Sequence, residues 1–448
     1  MERGGEKIIL KPIRISKNFN EEKEAILLSP PTRMFHEPNY NVYIVAIMGW
    51  KVPIEVDAIK AEIQRKLLKH PRFSSLQVMD ESAGRGEMRW VPTTVNIDDH
   101  IIVPQIADDK MDTDKLVEEY ISNLSTTTID MSKPLWDFHA LNVKTSQAKA
   151  TSISRIHHSL GDGVSLMSLL LSCFWTISDP SYLPTLPVSS SSKDKSNLSI
   201  SNREDIWSSI WQYLVKLWLL VKLLFNTVVD VLLITTTTLF LKDSQSPFMV
   251  AHRSNRQRFI YRTVSFDDIK FVKSATNTAV AEMVEENATV IQGNCFGFAI
   301  IPLTLAQLKS PLDYVRKGKI AMDRKKHSLE TGCTFYILQL ILKFFGSRGA
   351  TRLAERILSQ TTLIFSNVAG PLEEVSLAGH PLTFLAPTCY GHPTGLMIHA
   401  CSYAKKLTFV MAVDGEIIPN PNQLGDDFVG SFMHIKEAAL SKLRTKVD

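Results

Sequence analysis

Two adjacent histidines, three further residues and an Asp-Gly pair mark a change of structural period in Arg155-Ile156-His157-His158-Ser159-Leu160-Gly161-Asp162-Gly163. Ahead of this run, residues 149–156 partly alternate and are rich in β-branched side chains, which predicts a strand. Behind it, Val164, Leu166, Met167, Leu169, Leu170, Leu171 and Phe174 fill a buried helix. A strand feeding a helix through a short polar loop belongs to a mixed α/β layer fold. A histidine at such a junction can reach into a cleft while the strand fixes its backbone. Its near-neutral pKa lets it take a proton from a hydroxyl and hand it on within one cycle. Gly161 and Gly163 flank Asp162, so the loop is expected to turn back sharply and the carboxylate to brace it.

The chain is too long, at 448 residues, for one ordinary core, and should split into two domains. A hydrophobic share of 44% with 21% charged residues describes a globular protein. A net charge of +4 is too small at this length to argue for nucleic acid, though it leaves room for a basic face toward phosphates or anionic lipid. The five cysteines, Cys173, Cys295, Cys333, Cys389 and Cys401, follow no metal or disulfide spacing and read as buried small apolar residues. Charges at Glu2, Lys7, Lys11, Arg14 and Lys17 break the early apolar runs, so no secretory signal is expected.

The first domain is expected over residues 1–180. Strands are predicted at 41–48, 88–91, 101–103 and 136–143, the last strictly alternating. Helices are predicted at 56–70, stopped by Pro71, and at 113–124. Residues 181–246 hold a Ser/Pro/Lys-rich linker and then the most apolar segment of the chain, from Ile206 to Leu241. Lys222, Asn226 and Asp230 recur every fourth residue there, a polar stripe on a helix. Three readings stay open: a helix packed over the domain junction, an in-plane amphipathic helix, or a single span. A span needs about 20 mostly apolar residues. The stripe favours lying in the membrane interface, and Trp207, Trp211 and Trp218 suit a headgroup boundary. The second domain is expected over 247–448. It should hold strands at 259–264, 296–303 and 363–367, and a hairpin over 396–413 around Lys405-Lys406. Its helices are expected at 266–275, 311–327, 334–345 and 426–443.

The signature around His157 and His158 resembles the HHxxxDG motif of the wax ester synthase/diacylglycerol acyltransferase family, a branch of the CoA-dependent acyltransferases. Three more stretches carry the same resemblance in the same order: Leu28 to Pro38, Pro134-Leu135-Trp136, and Ser366-Asn367-Val368-Ala369-Gly370-Pro371. It covers nearly the whole chain and is nearest the plant members. The resemblance implies a two-domain, chloramphenicol-acetyltransferase-like α/β fold with an active-site tunnel between the halves. It implies an O-acyltransferase that moves a fatty acyl group from acyl-CoA to a long-chain alcohol or to diacylglycerol. By the same resemblance His158 is the general base, while His157 holds the loop or takes part directly. Asp162 and Gly163 are structural, with Asp162 in an ion pair. Trp136 packs beside the catalytic strand and is a lining for the lipid chain, and Asn367 is a polar group near the thioester or part of a turn that shapes the domain junction.

No metal or prosthetic group is implied, and acyl-CoA enters as substrate. A metal site from His157, His158 and Asp162 lacks further ligands downstream. Arg324, Lys325 and Lys326 are expected on a solvated helix face, or against CoA phosphates. The implied setting is the cytosolic face of the endoplasmic reticulum membrane, or the plasma membrane. One departure stands out: Ala281-Glu282 occupy the place of the family's Asn-Asp-Val stretch, and what usually follows is missing. The alternative this raises is a catalytically weak, lipid-binding relative.

Overall fold

A computed structural model describes residues 14–15, 26–80, 87–105, 112–179, 183–185, 206–240, 256–276, 294, 297, 299–303 and 306–444. The early part of the chain contributes β1 (Arg14–Ile15), β2 (Ile26–Leu27), α1 (Pro30–Met34), β3 (Tyr43–Trp50), α2 (Val56–Arg65), β4 (Ser75–Asp80), β5 (Glu87–Pro92) and β6 (Ile101–Ile102). After these come α3 (Thr113–Leu124), β7 (Trp136–Leu141), β8 (Ala150–His157), α4 (Gly163–Cys173) and β9 (Trp175–Thr176). Helix α5 (Ile206–Leu239) opens the later part, with β10 (Gln257–Ser265), α6 (Phe266–Thr276), α7 (Pro311–Lys326) and α8 (Glu330–Ser359). The chain closes with β11 (Ile364–Val368), β12 (Val375–Leu377), β13 (His380–Tyr390), β14 (Leu396–Tyr403), β15 (Lys406–Asp414) and α9 (Pro421–Arg444).

The main sheet has the order β6-β7-β8-β3-β13-β12-β9. Strand β8 lies between β7 and β3, with Ile156 opposite Trp136 and His157 opposite Tyr43. Strand β13, from the later part of the chain, adds to the other side of β3 with Tyr390 opposite Tyr43. Both parts of the chain therefore build the layer that carries the histidines. A second sheet runs β10-β15-β14-β11, and a small one runs β1-β4-β5-β2.

Local sequence explains most of these elements. In α3 the Asp112 side chain accepts the Asp114 N–H at 3.1 Å, and Val117, Ile121 and Leu124 bury one face. Strands β14 and β15 are joined by Ala404 and Lys405 at φ 43° and 61°, the left-handed pair that a two-residue hairpin turn needs. Gly370 is required where the chain passes the hairpin: a Cβ there would lie 2.1 Å from the Ser402 carbonyl oxygen.

Strand β7 forms beside β8 as its alternation predicts, and it is buried on both faces because Asp137 and His139 are satisfied inside the protein. Two expectations fail. The described residues of 296–303 form no strand. They rest on the start of α8 instead, where the Ile300 N–H donates to Glu330 at 3.3 Å and a Cβ on Gly297 would meet the Thr331 carbonyl at 2.3 Å. Two of the three stripe residues on α5, Asn226 and Asp230, face protein, while Lys222 is exposed. Asp230 is fully buried and pairs with Arg324 and with Lys325 (3.0 Å), Asn226 donates to the His327 carbonyl at 3.1 Å, and Thr227 accepts the Leu329 N–H at 2.9 Å. Lys325, its side chain 7% exposed, is accordingly neither on a solvated face nor presented to a phosphate. Most of the linker, Cys295 and the departure at Ala281-Glu282 lie outside the described residues.

Candidate active site

Strand β8 ends at His157, and the chain enters one turn of 3₁₀ helix, His158–Leu160, before α4 begins. The turn sends the two rings into different surroundings. His157 is 2% exposed and is held at both ring nitrogens. Its Nε2 lies 2.9 Å from Asn41 Oδ1 and 3.1 Å from the Phe35 carbonyl, while Nδ1 lies 2.6 Å from Ser159 Oγ. Ser159 in turn accepts from Gln77 at 2.7 Å, and Gln77 bonds His36. Burial, with His36 and His158 nearby, holds the His157 pKa well below the ordinary histidine value. His157 is thus a neutral member of a buried polar chain that ties β8 to α1 and β4.

His158 has a different surrounding. Its ring stacks on Phe35 at 4.2 Å, and His392 stands edge-on at 6.4 Å. Its N–H donates to the Val42 carbonyl at 2.9 Å, which pins the backbone to the strand. Nδ1 lies 3.1 Å from Asn294 Oδ1. The amide orientation is set independently, because Asn294 Nδ2 donates to the His158 carbonyl at 3.0 Å and to Thr32 Oγ1 at 3.3 Å. With Oδ1 as acceptor, Nδ1 must carry the proton, and Nε2 keeps its lone pair. Burial lowers the His158 pKa, partly opposed by the Asn294 bond, so the ring is neutral at neutral pH.

The remaining sequence candidates occupy clear positions. Asp162 caps α4, accepting the Ser165 N–H at 2.9 Å, and its charge acts on the Arg72 guanidinium. Arg72 also donates to the Leu160 carbonyl at 2.8 Å, closing the loop from outside. Gly161 is extended at φ 168° and Gly163 opens the helix, so neither uses the left-handed freedom expected of it. Gly163 lies under Val368, with 3.5 Å to the position of a Cβ, so the Ser366–Pro371 turn touches the start of the signature helix.

Trp136 packs beside β8 as expected: it is 1% exposed, donates to the Phe73 carbonyl at 3.0 Å and stacks on His100 at 4.2 Å, which makes it a core anchor. Asn367 stands beside the turn that reaches the start of α4 through Val368. It is exposed on β11, and the amide that meets His158 belongs to Asn294. Nothing local marks Asn294 in the sequence; the pair is 136 residues apart.

Beneath the site, Arg155 and Asp137 form a buried ion pair between β8 and β7, with Arg155 Nε 3.1 and 3.2 Å from the two carboxylate oxygens. His139 adds a further bond to Asp137 at 3.0 Å, and Tyr120 bonds the far side of His139 at 2.7 Å. Burial alone would raise the Asp137 pKa, but the bonds from His139 and Arg155 outweigh it and hold the carboxyl below its ordinary range. Among the described residues, no group of three or more His, Cys, Asp or Glu side chains is placed to hold a metal ion.

Comparison with known proteins bears on this arrangement. The family model of the wax ester synthase/diacylglycerol acyltransferase catalytic domain matches residues 29–284, and the C-terminal domain model of the same family matches 292–436. Wax ester synthase/diacylglycerol acyltransferase 11 of Arabidopsis thaliana is 36% identical, over 95% of this chain and 98% of the relative. The chain belongs to the wax ester synthase/diacylglycerol acyltransferase family. Number 5 of the same plant is 35% identical over 96% of this chain and 97% of its own length.

The solved wax ester synthase/diacylglycerol acyltransferase of Marinobacter aquaeolei VT8 superposes with a TM-score of 0.60 at 15% identity, covering 92% of this chain and 99% of that one. The first condensation domain of the CDA synthetase gives 0.53 at 11% identity, over 94% and 97%. The fold is the two-domain, chloramphenicol-acetyltransferase-like α/β architecture. Members of this family are acyltransferases, and this one joins its halves at the candidate site: His158 lies in the catalytic-domain match and Asn294 in the C-terminal one.

Proposed function

We propose that this family member moves a fatty acyl group from acyl-CoA to the hydroxyl of a long-chain alcohol or of diacylglycerol, with His158 as general base. The observation that carries the reading is the Asn294 bond, which fixes the His158 tautomer with Nε2 as proton acceptor. In the proposed step Nε2 takes the acceptor's proton as the alcohol oxygen attacks the thioester carbonyl. The tetrahedral intermediate collapses, the C–S bond breaks, and the CoA sulfur leaves with the proton that His158 held. A thiol is a good leaving group, so one positioned base can serve both proton transfers without a covalent acyl-enzyme.

Both acceptors present one hydroxyl on an apolar body, and the same base serves either. His157 acts as a positioning residue: both its ring nitrogens are engaged inside the protein. Asp162 and Gly163 set the start of α4 and thereby the loop that follows His158. The family match extends to residue 284, beyond the Ala281-Glu282 departure, and the relatives are covered almost completely, which favours a working enzyme over a lipid-binding relative. The setting we propose is a membrane surface, on the cytosolic face of the endoplasmic reticulum or at the plasma membrane, where α5 meets lipid. The test is to supply purified protein with labelled acyl-CoA and either a fatty alcohol or diacylglycerol, then separate the products. A wax ester or triacylglycerol that depends on the protein supports the reading; release of free fatty acid alone would overturn it.

A further inference from the structure

Helix α5 divides into two unlike halves. Its later half is clamped to the protein by its polar side chains: Asn226 on the α7–α8 loop, Thr227 on Leu329, and Asp230 on Arg324 and Lys325. Arg356 of α8 also donates to the Thr238 and Leu239 carbonyls, the latter at 3.0 Å. Among the described residues its earlier half has no such cover. Every side chain from residue 210 to 222 is exposed, with Trp211 at 68%, Tyr213 at 72% and Trp218 at 67%. Polar residues turned inward and apolar ones turned outward invert the amphipathicity of a helix in water.

Length and charge say what covers the uncovered half. Those residues reach about 18–20 Å at 1.5 Å each, well short of a hydrocarbon core of about 30 Å. The clamped half cannot supply the rest, since crossing would pull Asp230 away from its two cations. The segment 206–225 holds no acidic residue, and its charges are Lys216 and Lys222, both exposed. Apolar and aromatic surface with purely cationic charge is complementary to an anionic bilayer surface.

We propose that residues 210–221 insert into a lipid bilayer from one side while the rest of α5 stays clamped to α7 and α8, making the enzyme monotopic. This deepens the proposed membrane setting and rests on it.

Flotation of the full-length protein with vesicles tests the inference. Phosphatidylcholine vesicles should carry the protein upward, and added phosphatidylserine should tighten binding several-fold, an increment that high salt removes. The variant Trp211→Ser/Leu214→Ser/Trp218→Ser should lose at least about tenfold in vesicle binding. It should still acylate an alcohol presented in detergent micelles, which separates failure of the anchor from failure of the acyltransferase reading. A specific protease site placed at Ser189 to Ser192 should be cut, with the C-terminus also reachable, on intact vesicles to which protein was added from outside. Undiminished flotation of the triple variant, protection of either side of α5, or a stable dimer in place of vesicle binding would overturn the proposal.

Discussion

His158 is kept neutral by burial and in one tautomer by Asn294. Asn294→Ala removes the acceptor on Nδ1, and losing one such bond, about 1 kcal/mol, should lower kcat roughly five- to tenfold with little change in KM. Asn294→Asp should act differently. A carboxylate beside the ring favours the imidazolium, so the acidic limb of the kcat–pH profile should move to higher pH. In the wild type the His158 pKa lies below its ordinary 6.5, so kcat should stay flat through neutral pH and fall only on the acid side. Profiles of the two proteins that coincide would contradict the assignment.

Asp162 is a second test at this scale. Asparagine caps a helix about as well as aspartate, so Asp162→Asn should keep most of the thermal stability. Asp162→Ala should lose about 1 kcal/mol, measured by denaturant unfolding. Equal losses from both would place the effect in the charge shared with Arg72.

At the scale of elements, strand β8 is held in the sheet by Arg155 and Asp137 as well as by its ladder. Asp137→Ala strands a buried guanidinium and should cost about 3–5 kcal/mol of unfolding free energy. A loss below about 1 kcal/mol would mean that the pair is not buried as described. Elements were legible where one local pattern decided them. The apolar spacing of α3, the β-branched run of β8 and the Lys405-Lys406 hairpin needed no distant partner. Pattern failed where tertiary contact chose the meaning. The alternation of Trp136 to Leu141 marks the strand but not the burial of its polar face, which Arg155 makes tolerable. The stripe Asn226-Asp230 signals a face toward water or headgroups, yet α7 and α8 supply its partners. The apolar run 296–303 signals a strand, but its described residues Gly297 and Ile300 lie against Thr331 and Glu330 rather than in a ladder. His158 was marked by its signature, while its partner Asn294 was invisible because folding alone brings the two together.

For the whole molecule, the halves meet around a set of buried neutral histidines. Burial holds His36 and His399 at about 4, and burial with His36 and His158 nearby holds His157 well below its ordinary value. Their unfolded-state pKa is about 6.5. The stability they contribute is therefore complete above pH 6.5 and is lost as pH falls toward 4, because only the unfolded chain takes up the protons. At about pH 5 each costs about 2 kcal/mol at about 1.4 kcal/mol per unit. The melting temperature should drop steeply between pH 6.5 and 5, and a flat profile there would contradict the burial of this group.

The central claim is that His158 moves the proton while His157 holds the frame, and turnover of the two alanine variants beside their melting curves tests it most directly. His158→Ala should lower kcat by about 10²–10⁴-fold at nearly unchanged melting temperature. His157→Ala, which leaves Asn41 and Ser159 without a partner, should lose about 1–3 kcal/mol of stability and less of its rate. Full activity in His158→Ala, or equal loss of rate from both variants, would contradict the account.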